Sequence, residues 1–145
     1  MITDEKEVMA YIRKRVHELY YGIDMNCAGT TMNCLSEIMD VKLEKQTMDA
    51  ALGMHGAGGF RAQCGLVEGA LMFLGIYGRI KGLPEGEIPA ICYHYAEEYT
   101  RLFGALTCRE LRPGGFREDD PPHLCEDLTC RSIFFVWKYI RRVFG

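Results

Sequence analysis

Residues 53–80, GMHGAGGFRAQCGLVEGALMFLGIYGRI, decide the fold. Four of the first seven residues, 53–59, are glycines. Because each glycine inside a helix costs about 1 kcal/mol relative to alanine, this stretch is predicted to be a loop. Residues 62–80 are apolar, and Gly65 and Gly69 lie one helical turn apart, so that another helix or a ligand can approach the backbone closely. The pattern predicts a central, buried helix that follows a glycine-rich loop.

Helical spacing of apolar residues recurs on both sides of this segment. Asp4 is predicted to cap the first helix, Asp24 the second, and Pro84 precedes the fifth. No alternating strand pattern of useful length is present. We therefore expect an all-α fold, a compact single-domain bundle of about six helices that occupies residues 1–145. The predicted helices cover about residues 4–22, 25–39, 43–52, 62–80, 85–103 and 123–144.

The charge of the chain is nearly balanced, with 17 Lys and Arg residues against 20 Asp and Glu residues and a net charge of −3. Nucleic acids and anionic membranes require a positive surface, so neither is an expected partner. The first seven residues are acidic and lack an apolar leader, and no apolar run approaches the roughly 20 residues that span a bilayer. We expect a cytoplasmic protein without membrane insertion.

The chain contains seven cysteines. In a reducing cytosol a structural disulfide framework is not expected, so this enrichment indicates metal binding or thiol chemistry, with ordinary buried thiols making up the rest. The seven are Cys27, Cys34, Cys64, Cys92, Cys108, Cys125 and Cys130.

Helix geometry excludes some combinations of these cysteines. Cys27 and Cys34 are seven residues apart on one predicted helix, and so about 10.5 Å apart along its axis, too far to serve one small site. Cys125 and Cys130, if both helical, point about 140° away from each other, so at most one belongs to a shared site. Cys92 lies in the apolar stripe of its helix and is predicted to be a core residue.

The cysteines that remain candidates are one of Cys27 and Cys34, Cys64, Cys108, and one of Cys125 and Cys130. Cys27, Cys64 and Cys125 fall in the first turn of predicted helices, where free N–H groups and the helix dipole favour a thiolate. Cys108 is predicted to lie in a loop. Both metal binding and disulfide exchange require thiolates, so the helix starts favour Cys27 over Cys34.

Four segments of the chain carry a resemblance to a known family. They are Gly22 to Ala28, Gly58 to Met72, Phe103 to Leu111, and Cys125. In order and spacing they resemble the C_GCAxxG_C_C family of redox-active proteins, from about Tyr21 to the last helix. The resemblance implies that the motif cysteines are Cys27, Cys64, Cys108 and Cys125. Leu66 departs from the motif, which has alanine there.

The resemblance also implies a cofactor. A related domain occurs in split-Soret cytochromes, which carry haem and an iron–sulfur centre, so the four cysteines are expected to hold an iron–sulfur cluster or another metal for electron transfer with a redox partner protein. Dispersed cysteines are able to bind such groups. The chain has no Cys-x-x-Cys, so the local signatures of a zinc ribbon, a ferredoxin, a thioredoxin and a covalent c-type haem are all missing.

Two other functions stay open. In a thiol–disulfide protein, Cys64, which is close to Arg61 in sequence, would attack a disulfide, and Cys27 or Cys108 would resolve the product. Alternatively, the chain is a non-catalytic helical module that binds a protein partner. His55 in the glycine-rich loop either tunes the site or is an ordinary surface histidine. The aromatic residues of the last helix are too many for one face, which suggests a homodimer surface.

Overall fold

The computed structural model describes residues 1–145 and confirms the all-α prediction: the chain is 71% helical and has no strands. One isolated antiparallel bridge joins Gln63 and Thr107. Short 3₁₀ turns cover Ala51–Gly53 and Glu85–Glu87. The helices are α1 (Glu5–Ile23), α2 (Cys27–Met39), α3 (Lys45–Ala50), the single turn α4 (Gly56–Gly59), α5 (Gly65–Ile80), α6 (Ile88–Phe103), α7 (Cys108–Leu111) and α8 (Glu126–Phe144).

Helix α5 is the centre of the core, as its apolar sequence predicts. It packs against α2, α6 and α8, and α1 covers α2 and α8 on the other side. Phe73 and Leu74 of α5 are fully buried, as are Val8 and Ile12 of α1. Removing each such side chain from water stabilises the fold by about 1.5–3 kcal/mol. No helix of the chain is long and apolar enough to cross a bilayer.

The closest helix contact is the crossing of α2 and α5, where glycines replace side chains. A Cβ atom built on Gly69 would lie 2.7 Å from the carbonyl oxygen of Ala28. One built on Gly65 would overlap the Met54 carbonyl and would lie 2.9 Å from the Cys27 sulfur. The predicted close approach to the α5 backbone is therefore confirmed, and α2 is the helix that makes it.

The start of α2 differs from the prediction. Asp24 does not cap α2 but ends α1, in the left-handed conformation with φ of 51°, and its N–H donates to the Leu19 carbonyl. Asn26 caps α2 instead, because its side-chain oxygen accepts from the Gly29 N–H at 2.8 Å. The Asn26 amide also donates to the Ala51 carbonyl at 2.8 Å, which fixes the chain after α3.

The starts of two other helices also differ from the predicted positions. Helix α5 begins at Gly65 rather than Ala62, because the residues before it leave the helical conformation to lie beside residues 106–108. Helix α8 begins at Glu126 rather than at residue 123. Along α6, Tyr99 is fully buried, but Leu102, about one turn further on, is 63% exposed.

Candidate functional site

The four motif cysteines all stand at the starts of helices. Cys27 is the first residue of α2, and Cys108, which was expected in a loop, is the first residue of α7. Cys64 and Cys125 each occupy the position immediately before a helix, α5 and α8 respectively. Four segments that are distant in sequence thus each deliver a thiol at the point where a helix begins.

Backbone pairing holds Cys64 and Cys108 beside each other. The Cys64 N–H donates to the Leu106 carbonyl at 2.8 Å, and the Cys108 N–H donates to the Ala62 carbonyl at 2.7 Å. Cys64 and Cys108 each follow one member of the bridged pair, Gln63 and Thr107. Because side chains alternate between the two faces of an extended segment, both cysteine side chains project from the face opposite to that of the bridged pair. As diagonal neighbours across an antiparallel pair, their Cα atoms are expected about 7–8 Å apart.

The crossing of α2 and α5 brings Cys27 close to Cys64. The start of α2 lies directly against the start of α5, because Gly65 has no side chain to separate Ala28 from it. Cys64 is only 5% exposed and lies on the core side of the site. Cys27, Cys108 and Cys125 line one cavity of about 410 Å³.

Burial controls the ionisation of these thiols. Burial, followed by the negative charge of Cys108, raises the pKa of Cys27 to about 11. Burial likewise raises the pKa of Cys64 to about 12, reinforced by Cys27. The pKa values of Cys108 and Cys125 are also raised by burial, although Arg112 opposes the rise at both. The expectation that helix starts produce thiolates is wrong for the metal-free protein, because desolvation outweighs the backbone N–H groups.

The spacing of the four thiols limits which metal group they could hold. No three His, Cys, Asp or Glu side chains lie close enough together, as they stand, to hold one ion. Because metal–sulfur bonds are about 2.3 Å long, thiolates on one ion must lie roughly 4 Å apart. In a 4Fe–4S cluster each cysteine binds a different iron atom, so the sulfur atoms stand farther apart than they do on one ion. Four thiolates are the soft donor set that iron–sulfur clusters use, and here three thiols line the cavity while that of Cys64 is buried.

An irregular segment, residues 112–124, forms the remaining wall of the cavity, and we call it the strap. The guanidinium groups of Arg61 and Arg112 lie 3.9 and 4.4 Å from the ring centre of Phe116. Arg112 also forms an ion pair with Asp120 at 3.2 Å. These contacts hold the strap beside Cys108, which adjoins Arg112 in the cavity wall.

The far end of the strap is anchored to α1. His123 stacks on Tyr20 with ring centres 4.6 Å apart, and its Nε2 lies 3.1 Å from an Asp24 carboxylate oxygen. The Tyr21 hydroxyl donates to the Pro122 carbonyl at 3.4 Å. Sequence reasoning missed Phe116, His123 and Arg112, since a Pro- and Gly-rich stretch without periodicity gives no signal of what it covers.

The other cysteines lie away from the cavity. Cys34 and Cys130 are buried in the core, whereas Cys92, which was predicted to be a core residue, is half-buried and packs against the core. His55 does line the cavity, together with Arg61 from the same loop. Of the α8 aromatic residues that suggested a dimer surface, Trp137 and Tyr139 are each only 2% exposed, whereas Phe134 and Phe135 are partly buried, and the homodimer stays a prediction.

The structure is an all-α fold in which four dispersed cysteines stand at helix starts and three of them line one cavity. A family model described as "Putative redox-active protein (C_GCAxxG_C_C)" matches residues 25–138, well over half of the chain. The chain belongs to this family. Comparisons with curated proteins and with solved structures found no match.

Proposed function

We propose that this protein is a cytoplasmic electron-transfer protein that uses Cys27, Cys64, Cys108 and Cys125 to bind an iron–sulfur cluster or another metal. The observation that carries the proposal is that four helix starts each carry one cysteine, of which Cys27, Cys108 and Cys125 line a single cavity and Cys64 is buried next to Cys108 in the paired backbone. Membership of a redox-active family supports it. A redox partner protein would exchange electrons through the face on which the cavity opens.

The ionisation of the thiols favours a metal over free thiol chemistry. A nucleophilic cysteine requires a thiolate near neutral pH, but burial raises the pKa of all four thiols. A bound cation reverses this balance, since a coordinating thiol is deprotonated outright. A buried set of four thiols that repel one another as thiolates is therefore better suited to hold a positively charged centre than to attack a disulfide.

A thiol–disulfide function is the second candidate, and one contact favours it. The Cys27 sulfur lies beside the backbone of Gly65, the residue that follows Cys64, at 2.9 Å from the place of a Cβ atom. Oxidation would then join Cys27 to Cys64, and Cys108 and Cys125 would not be required.

The test is purification without oxygen from iron-replete cells, followed by visible absorption and by analysis of iron and acid-labile sulfide. The proposal predicts a coloured protein that contains both. A colourless protein that takes up no metal even after chemical reconstitution would refute it. In that case, a Cys27 to Cys64 disulfide formed on mild oxidation would support the second candidate, and its absence would leave a helical interaction module as the better account.

A further inference from the structure

A second cleft adjoins the cavity that the cysteines line, and it contains two arginines. We call it the arginine cleft. It has a volume of about 460 Å³ and is lined by Phe60, Arg61, Arg109, Gly115 and Phe116. Arg61 and Phe116 line both this cleft and the cysteine-lined cavity. No cysteine lines the arginine cleft, so it is a separate place for a ligand beside the candidate thiol site.

Contacts within the chain hold both guanidinium groups in place. The guanidinium of Arg61 lies 3.9 Å from the ring centre of Phe116. The Nε–H of Arg109 donates to the Arg61 carbonyl at 3.0 Å. Arginine side chains at a surface are usually free to change rotamer, and ordering them on binding costs free energy. Here part of that ordering is already present before any ligand binds.

No ion pair balances the charges of these two arginines. The ion pairs that arginines form in this chain belong to Arg13, Arg15, Arg112, Arg131 and Arg142. The carboxylate of Glu110 in α7 accepts a hydrogen bond from the Thr107 hydroxyl at 2.8 Å. None of the acidic residues of the strap lines the cleft, and these are Glu118, Asp119 and Asp120. The cleft therefore keeps two positive charges without a counter-ion.

The charge and the donors of the cleft are suited to a phosphate group. Positive charges gathered without a counter-ion repel one another, so a bound anion stabilises them. Guanidinium groups bind phosphate and carboxylate through paired N–H donors. A phosphate monoester carries a charge of about −1.5 to −2 at pH 7, whereas a carboxylate carries a single negative charge. Two unbalanced positive charges match the phosphate better.

Phe60 adds an apolar face to the same cleft. Its side chain is 75% exposed and does not belong to the hydrophobic core. Exposed aromatic rings next to cationic groups are the surfaces on which nucleobases stack. We propose that the arginine cleft binds a nucleotide, with the phosphate on Arg61 and Arg109 and the base on Phe60. This inference goes beyond the proposed function and does not rest on it.

The test is isothermal titration calorimetry of the reduced, full chain at low ionic strength, with adenosine monophosphate, adenosine and inorganic phosphate as probes. We expect adenosine monophosphate to bind, and adenosine to bind about tenfold more weakly or less, because it offers no charge to the arginines. Inorganic phosphate should displace adenosine monophosphate but bind several-fold more weakly, because it lacks the base. Added salt should weaken the binding of adenosine monophosphate, since it screens exposed charges.

Single substitutions separate the two parts of the cleft. Arg109→Ala removes one guanidinium at an exposed position and should weaken the binding of adenosine monophosphate about tenfold. Arg61→Asn removes the other with a similar effect, and asparagine is chosen because it tolerates the φ of 70° at this position. Phe60→Ala should weaken the binding of adenosine monophosphate but not that of inorganic phosphate. Arg101→Ala, at an exposed arginine of α6 outside the cleft, is the matched control and should bind like the wild type.

Thermal unfolding confirms that each variant is folded. Absence of adenosine monophosphate binding at concentrations up to about 10 mM would overturn the site. Unchanged binding in both Arg109→Ala and Arg61→Asn would also overturn it, as would an equal loss in Arg101→Ala, which would indicate a general effect of net charge. Adenosine that binds as tightly as adenosine monophosphate would refute the phosphate position. Unchanged binding in Phe60→Ala would refute the stacking of the base.

Discussion

The two halves of the candidate thiol site are built by different means. Cys27 and Cys64 stand at the crossing of α2 and α5, where backbone meets backbone and glycine is the only residue that fits. Cys108 and Cys125 flank the strap, which has no regular structure and is held by cation–aromatic, ion-pair and stacking contacts. We therefore expect that one half is fixed by the fold itself, and that single side chains of the other half can be removed without unfolding the protein.

The largest effect is expected at the helix crossing. Gly69→Ala places a methyl group 2.7 Å from the Ala28 carbonyl, and neither backbone can move aside cheaply. We expect a loss of about 2–4 kcal/mol in the free energy of unfolding, measured in urea. Gly75→Ala is the matched control on the same helix, because its nearest neighbour would be a flexible Ile88 methyl at 3.9 Å. That variant should be unchanged or up to about 1 kcal/mol more stable. Equal losses at both positions would show that the crossing is not specially tight.

A smaller loss is expected where Asn26 links α2 to the turn after α3. Asn26→Ala removes the cap of α2 and the bond to the Ala51 carbonyl, at a cost of about 1–2 kcal/mol. Asp4→Ala removes only the cap of α1, whose bond to the Glu7 N–H at 3.1 Å is exposed, and should cost less. Urea unfolding of both variants measures the difference. A greater loss at Asp4 would contradict the role of Asn26 in fixing the start of α2.

A substitution in the strap should change how easily reagents reach the cavity, rather than the stability of the fold. Phe116→Ala removes the ring that lies between Arg61 and Arg112. We expect less than about 1 kcal/mol of lost stability but faster alkylation of Cys108 and Cys125 in the metal-free protein. Cys34, which is fully buried in the core, is the internal reference and should not react faster. Acceleration at all cysteines alike would indicate general loosening instead of an opened cavity.

The smallest expected effect is a difference between the two halves in how stability depends on pH. A buried thiol whose pKa is raised binds its proton more tightly in the folded state, so its contribution to stability is complete below its ordinary pKa of about 9 and is lost as pH rises beyond it. For Cys64, whose pKa is about 12, this loss extends through the alkaline range. Cys64→Ser should therefore reduce the alkaline destabilisation of the metal-free protein. Cys108→Ser should reduce it less, because Arg112 and Arg61 oppose the pKa rise at Cys108. Urea unfolding between about pH 8 and pH 10.5 measures the alkaline loss of stability in both variants. A larger reduction of this loss in Cys108→Ser than in Cys64→Ser would refute the prediction.

Sequence reasoning succeeded where a pattern has one physical solution. The apolar run of α5 and the spacing of Gly65 and Gly69 predicted a buried helix with a close neighbour, and both are present. It failed where two solutions are nearly equal in energy, as in the choice between Asp24 and Asn26 as the cap of α2. Both residue types are good caps, and the tertiary bond from Asn26 to Ala51 decides between them.

Other features of the site depend on contacts that no local pattern encodes. The pairing of residues 62–64 with 106–108 joins segments more than 40 residues apart, and it shortens the predicted helix α5 at its start. The protonation of Cys64 likewise follows from its burial, which outweighs the position before a helix that the sequence revealed. The contacts of Phe116 with two arginines come from a segment without periodicity.

The central claim is that four cysteines from four segments form one metal site, and the iron content of single-substitution variants tests it most directly. Cys27, Cys64, Cys108 and Cys125 are each replaced by serine, with Cys92→Ser as the control at a half-buried thiol outside the cavity. The account predicts that each of the four variants, purified without oxygen, loses most of its iron and its colour, while Cys92→Ser retains both. Iron retained in full by two or more of the four folded variants, or lost equally from Cys92→Ser, would contradict it.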